Sequence, residues 1–350
     1  MLYMIESKWG NLLERLDKID KLLNALSVNL EPTDFMSQYG LHESNVKYAF
    51  CSALEKAGIR SFKTEVLLPI YPQAPHLRGI EGKREVRVDL AVEVDDILIG
   101  FEFKTDSLSR ISGDDITAYI NNLSCLFFTT LKPGDYSSPY YGDYGRPDNF
   151  WLYEFERFSN ISGIFGLLTF EPIAGSLSIL SKPIGVKKAS QRLHNFTSSE
   201  EDKLKYEVWK SLKKEGYRVI SEPTPKHVEY ENSIMMIAPQ RRKYISISFR
   251  RVPKIKRMDL ISVKGGETIG VEVKASLKGL RDIAGQLERY LRIYDLDTLY
   301  LAVPIKFAGK ARSLISTHPS LYNRVQVMAI IGEEKVFGPK RSQSSLREKI

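Results

Sequence analysis

Glu272 and Lys274 stand two residues apart in GVEVKASL (residues 270–277), and Asp259 precedes Glu272 by 13 residues. In a strand, positions i and i+2 point to the same side, so this carboxylate and ammonium project together. The intervening LISVKGGETI reads as strand, Gly265-Gly266 turn, strand, which folds Asp259 back beside Glu272. Two carboxylates and one ammonium at a sheet end, with no His or Cys nearby, make a hard, oxygen-rich site. It suits Mg2+ or Mn2+, with water completing the coordination. A divalent ion lowers the pKa of its bound water and neutralises charge growing on a phosphate. The lysine can orient or deprotonate the attacking water, or stabilise pentavalent phosphorus. The chemistry that fits is phosphodiester hydrolysis. Taken alone, a Glu-x-Lys strand is most simply a solvated face.

The pattern occurs twice, and this changes its weight. GFEFKTDS (100–107) matches GVEVKASL, and upstream VRVDLAVEVDDILIGFEFK matches KRMDLISVKGGETIGVEVK. Asp89 again precedes Glu102 by 13 residues, Lys104 follows two later, and Asp95-Asp96 supplies the turn. The correspondence extends to the helical stretches SNVKYAFCSALEKAGIR (44–60) and DKLKYEVWKSLKKEGYR (202–218), which end at Gly58 and Gly216. Aligned on those glycines, Glu43 falls on Glu201. After each Glu-x-Lys strand come a helical pattern (112–124 and 279–294), an apolar strand (CLFFTT, 125–130; TLYLAV, 298–303) and a further strand near 163–170 or 325–331. Repeated helix–strands–helix–strand–strand order gives an α/β class, each copy a mixed sheet flanked by helices.

This chain resembles a tandem of two PD-(D/E)xK domains, the restriction-endonuclease-like nucleases. The resemblance covers about residues 40–180 and 197–335. It implies an αβββαβ core in each copy and a Mg2+- or Mn2+-dependent nuclease. Asp89 and Asp259 match the first acidic position, and Glu102/Lys104 and Glu272/Lys274 match the Glu-x-Lys pair. Glu43 and Glu201 are candidates for the helix glutamate that many members place close to the metal; Glu207 is a rival in the second copy. Gln286 and Tyr290, one helical turn apart in GQLERYL, resemble the Gln-x-x-x-Tyr helix of the RecB-like branch, whose Gln contacts substrate. The first copy offers Ile116 or Tyr119 there and lacks the Gln. Val88 and Met258 replace the proline of the family name. The implied activity is DNA cleavage, by an endonuclease whose two domains act as an intramolecular pseudo-dimer. A nucleic-acid-binding or assembly protein on the same scaffold, and RNA as substrate, are the alternatives.

Charge separates the copies. Residues 1–180 carry 17 Lys and Arg against 25 Asp and Glu, a balance of −8; residues 181–350 carry 34 against 18, a balance of +16. The second copy has 43 residues from Gly216 to Asp259 where the first has 31 from Gly58 to Asp89. That longer stretch holds Arg241, Arg242, Lys243, Arg250, Arg251, Lys254, Lys256 and Arg257, a group suited to phosphate contacts. This basic segment and the Gln286 helix favour the second copy as the working site. In the first copy, the loop KPGDYSSPYYGDYGRPDN (132–149) carries Tyr140, Tyr141 and Tyr144, which could stack on unpaired bases or simply pack.

The organisation read from these signals is an amphipathic helix at 1–30, a first domain at 31–180, a linker at 181–199, a second domain at 200–338 and a basic tail at 339–350. The helix has Leu12, Leu13, Leu16, Ile19, Leu22, Leu23 and Leu26 at helical spacing. Its polar face mixes both charge signs, which points to domain one or a partner subunit rather than a membrane. With 43 % apolar and 27 % charged residues among 350, the chain can bury a substantial core. No apolar run approaches the roughly 18 residues of a membrane span, and the charged N-terminus lacks the apolar centre of a secretory signal. The scattered Cys51 and Cys125 and five histidines give no zinc spacing. A reduced, intracellular, cytoplasmic protein is the expectation.

Overall fold

The structure, a computed structural model, describes residues 2–34, 39, 41–70, 85–105, 108–132, 150–223, 257–276, 278–280, 282–331 and 335–337. The basic residues Arg241, Arg242, Lys243, Arg250, Arg251, Lys254 and Lys256, the tyrosines Tyr140, Tyr141 and Tyr144, and the tail 339–350 lie outside the described residues. The chain forms two compact units, Met1–Lys203 and Leu204–Ile350. Both belong to the α/β class.

Unit 1 contains α1 (Leu2–Asn29), α2 (Glu43–Lys56), β1 (Phe62–Pro69), β2 (Glu85–Val94), β3 (Ile97–Lys104), α3 (Gly113–Asn122), β4 (Cys125–Leu131), α4 (Phe150–Ser159), β5 (Phe165–Glu171) and β6 (Ser176–Ser181). The six strands form one sheet in sequence order. β1–β2, β2–β3 and β5–β6 pair antiparallel, while β3–β4 and β4–β5 pair parallel through the crossovers supplied by α3 and α4. The central strands are buried on both faces, so β4 reads as the uninterrupted run CLFFTTL. One face packs Phe101 and Phe103 against Phe50 of α2, with ring centroids 5.7 and 5.0 Å apart. The opposite core gathers Val88, Tyr119, Leu126, Phe128, Phe158 and Phe165.

Unit 2 follows α5 (Glu200–Lys214), which begins at the boundary. It contains β7 (Arg218–Ser221), β8 (Leu260–Lys264), β9 (Glu267–Val273), α6 (Ile283–Ile293), β10 (Thr298–Pro304), α7 (Ile305–Ser316), α8 (Pro319–Tyr322), β11 (Val325–Ile331) and β12 (Lys335–Phe337). Its sheet has the order β12-β11-β10-β9-β8-β7. The pairings run antiparallel, antiparallel, parallel, parallel, antiparallel from β7 to β12. Strand order and direction thus match those of unit 1. Two strands per unit lie beyond the four of the αβββαβ order: β5 and β11 are the further strands expected near 163–170 and 325–331, and the edge strands β6 and β12 are additions.

One sequence expectation changes. Residues 181–199 are built into unit 1 rather than spanning a gap. Leu193 and Phe196 are buried in its core, and Leu67 and Ala189 donate backbone hydrogen bonds to Thr197 and Asp96 at 2.9 and 3.0 Å. The N-terminal helix also finds its partner there: Ile19, Leu22, Leu23 and Leu26 are buried, and Lys18 reaches Asp95 at 3.3 Å. The partners of residues 181–199 are distant in sequence, so nothing local marks that stretch as packed. Among the described residues no helix is long and apolar enough to cross a membrane.

A glycine in each Glu-x-Lys strand makes room for tightly packed apolar side chains. A Cβ at Gly100 would lie 2.6 and 2.7 Å from Leu123 and Leu126, and one at Gly270 would lie 2.7 and 2.8 Å from Met258 and Leu296. Leu123 and Leu296 follow α3 and α6, so these glycines leave room for the apolar side chains that lead out of each helix, two residues before the glutamate. Gly100→Ala and Gly270→Ala are each expected to lower unfolding free energy by about 1–3 kcal/mol through overpacking, read from urea denaturation midpoints at unchanged m-value. A neutral midpoint would show that these side chains have room to shift.

Candidate active site

Both hairpins turn as their sequences imply. Asp95 has φ 53°, and Gly265 and Gly266 have φ 59° and 86°. These two-residue loops close Val94 on Ile97 and Lys264 on Glu267. The register then brings Asp89 level with Glu102, one step beyond the Leu90–Phe101 pair, and Asp259 level with Glu272, one step beyond Leu260–Val271. The aspartates are fixed by the backbone of the Glu-x-Lys strand. Phe103 N donates to Asp89 Oδ2 at 2.8 Å, and Val273 N donates to Asp259 Oδ2 at 2.7 Å. Each donor is the residue between the glutamate and the lysine.

In unit 1, Lys104 Nζ lies 2.8 Å from Glu102 Oε1 and 3.8 Å from Glu43 Oε2. Thr105 N donates to Glu43 Oε1 at 3.4 Å. Glu43, in the first turn of α2, is therefore brought to the strand pair as expected. Glu102 is buried, and its Oε2 has no hydrogen-bond partner. Burial pushes its pKa up to about 8; Asp89 adds to the shift and Lys104 opposes it. Burial also works against the Lys104 ammonium. The carboxylates of Glu102, Asp89 and Glu43 outweigh it and hold the pKa above the ordinary lysine value.

In unit 2, Lys274 Nζ donates to Glu272 Oε1 at 2.5 Å and Gln286 Nε2 donates to the same oxygen at 2.6 Å. The second N–H of Gln286 goes to the Tyr290 hydroxyl at 2.5 Å, which in turn donates to Arg257 O at 2.7 Å. Glu272 is 1 % exposed, with Oε2 unpartnered. Burial raises its pKa to about 8, Asp259 adds, and Lys274 opposes. Lys205 Nζ lies 2.6 Å from Asp259 Oδ1.

Glu201 and Glu207 sit on α5: Glu201 lies in its first turn, and Glu207 pairs with Lys210 at 3.2 Å. The register of the Gln-x-x-x-Tyr helix is also settled. Tyr119 is the counterpart of Tyr290, since its hydroxyl reaches Arg87 O at 3.4 Å, and Arg87 and Arg257 each precede the strand aspartate by two. Asp115, not Tyr119 or Ile116, therefore stands where Gln286 stands. It is spent on the capping box with Ser112 that starts α3.

Four residues escaped the sequence reading. Lys47 and Lys205 occupy matching positions in α2 and α5; the repeated Lys-Tyr of VKYAF and LKYEV was the available signal. Lys47 Nζ reaches Glu65 at 2.5 Å and Asp202 at 2.9 Å. Glu65 and Glu222 lie beside Asp89 and Asp259 on the neighbouring strands, with φ 50° and 47°. Left-handed backbone at a non-glycine residue costs on the order of 1–3 kcal/mol. No sequence pattern announces it.

Among the described residues no group of three or more His, Cys, Asp and Glu side chains gathers closely enough to hold a metal ion. The donor chemistry still fits Mg2+ or Mn2+. Such ions bind through one or two carboxylates and keep several waters, and each unit offers an unpartnered buried glutamate oxygen next to an aspartate. No family model, curated protein or solved structure matches the chain.

The raised glutamates link folding to pH. Their folded pKa, about 8, exceeds the ordinary 4.5, so between those values the unfolded chain sheds protons that the folded chain keeps. In chelator, melting temperature is expected to fall as pH rises from about 5 to 8. Glu102→Gln and Glu272→Gln should each flatten the slope. An unchanged slope in both variants would remove the pKa assignment.

Proposed function

We propose that the chain is a Mg2+- or Mn2+-dependent phosphodiester hydrolase acting on nucleic acid, built from two restriction-endonuclease-like units that arose by internal duplication. The observation that carries this is the recurrence of one unusual arrangement. In both units an aspartate accepts the amide between Glu and Lys, the glutamate beside it is buried with one oxygen unpartnered, and the lysine caps its other oxygen. A solvated strand face would have none of these features. The matching strand order of the two sheets supports the duplication.

Asp89 with Glu102, and Asp259 with Glu272, are the two carboxylate pairs among which an ion would find its ligands, with Glu43 adding charge in unit 1. When bound, the ion supplies an acidified water and positive charge for the phosphate. Lys104 and Lys274 act as fixed cations rather than bases. The carboxylates around Lys104 favour its ammonium form, which places positive charge where pentavalent phosphorus gains negative charge. Gln286 orients Glu272 through the Tyr290–Arg257 hydrogen-bond chain. Nucleic acid is the favoured substrate class, on the strength of the +16 balance of residues 181–350, and the family resemblance favours DNA over RNA.

Plasmid and branched DNA incubated with Mg2+ or Mn2+ should be cleaved by the wild type. The Lys104→Ala/Lys274→Ala double variant should lose about 10²-fold or more, in line with losing a transition-state charge. The single variants report which unit carries the cut. Equal cleavage by the double variant would refute the site. Salt-sensitive binding without nicking under any divalent ion would favour a binding scaffold instead.

A further inference from the structure

The two sites hold their charges differently. In unit 2 each strand carboxylate has its own ammonium: Lys205 lies 2.6 Å from Asp259 Oδ1, and Lys274 lies 2.5 Å from Glu272 Oε1. In unit 1 the equivalent of Lys205 is Lys47, and it is engaged elsewhere. Glu65 and Asp202 hold its ammonium at 2.5 and 2.9 Å, and Tyr48 also donates to Asp202 at 3.0 Å. Among the described residues no ammonium contacts Asp89, whose recorded partner is the amide of Phe103. Lys104 Nζ contacts Glu102 and Glu43, at 2.8 and 3.8 Å, and leaves Asp89 to the Phe103 amide. The Oε2 of Glu102 is buried without a hydrogen-bond partner.

We infer that the two units divide the work: unit 1 takes the divalent ion, while Lys205 closes the equivalent place in unit 2. This rests on the metal-dependent reading above and reverses the preference that Gln286 and the basic segment gave to the second copy. The physical reason is charge. Among the described residues Asp89 has no ammonium in contact, so its carboxylate is open to a cation. In unit 2 an ion would have to displace Lys205 from Asp259, and a displaced buried charge is costly. Glu272 keeps an unpartnered oxygen just as Glu102 does, so the glutamates do not distinguish the units. The cation on the aspartate does. Unit 2, with its glutamate held by Lys274 and Gln286, is left to grip nucleic acid without a metal.

The test counts Mn2+ bound to the full chain, by loss of the free-ion electron paramagnetic resonance signal and by calorimetry, with circular dichroism confirming the fold of each variant. Wild type should bind one ion. Glu102→Gln should bind none, Glu272→Gln should still bind one, and Lys205→Gln should bind two. Two ions on the wild type, retention in Glu102→Gln with loss in Glu272→Gln, or a single ion on folded Lys205→Gln would each overturn the division. Should Lys205→Gln not fold, the two glutamate variants decide alone. No ion on the wild type would instead condemn the metal-dependent hydrolase itself, and the inference with it.

Discussion

A carboxylate that takes a backbone amide holds each site together. Asp89 Oδ2 accepts from Phe103 N, and Asp259 Oδ2 from Val273 N, one step past the last paired residues of the two hairpins. A buried amide left unpaired would cost about 1–3 kcal/mol, and an ionised acceptor makes the bond stronger than a neutral one. Because the donor lies between Glu and Lys, the bond sets the aspartate beside the glutamate and leaves both on the side the lysine shares. The contact that stabilises the end of the hairpin thus also assembles the charges.

Around that contact the structure sustains a tension between burial and ionisation. Glu102 and Glu272 are buried deeply enough to favour the neutral acid, while a lysine two residues on favours the carboxylate. Perturbed carboxyls with a specific charge partner mark functional sites more often than ordinary surfaces. Gly100 and Gly270 leave room for apolar side chains packed two residues before each glutamate. Tyr119 of α3 and Tyr290 of α6 reach the backbone of Arg87 and Arg257. Tight packing and a costly carboxyl are here two consequences of one backbone arrangement.

Two units with the same strand order and the same aspartate contact nevertheless distribute their cations differently. The departure comes from few residues. Asp202 and Glu65 draw Lys47 away from Asp89, whereas Lys205 pairs with Asp259. On α3 Asp115 caps the helix, whereas on α6 Gln286 turns to the glutamate. Two units with one strand order can differ in their charge pairing in this way without moving a strand.

What the sequence alone determined was local. The turns at Asp95-Asp96 and Gly265-Gly266 need backbone conformations those residues tolerate, and strand alternation then places Glu and Lys on one side. The spacing of 13 follows from the hairpin, so Asp89/Glu102 and Asp259/Glu272 were legible as pairs, as were the central strands and flanking helices. Only the tertiary structure decided the rest. Whether residues 181–199 link or pack depends on Leu193 and Phe196 finding a core far from them in sequence. The helix register that equates Tyr119 with Tyr290 rests on hydrogen bonds to Arg87 and Arg257, which no periodicity encodes. Which carboxylate each lysine serves was likewise invisible: a long flexible side chain can reach several partners, and the choice between them is made by the charges that the fold brings alongside.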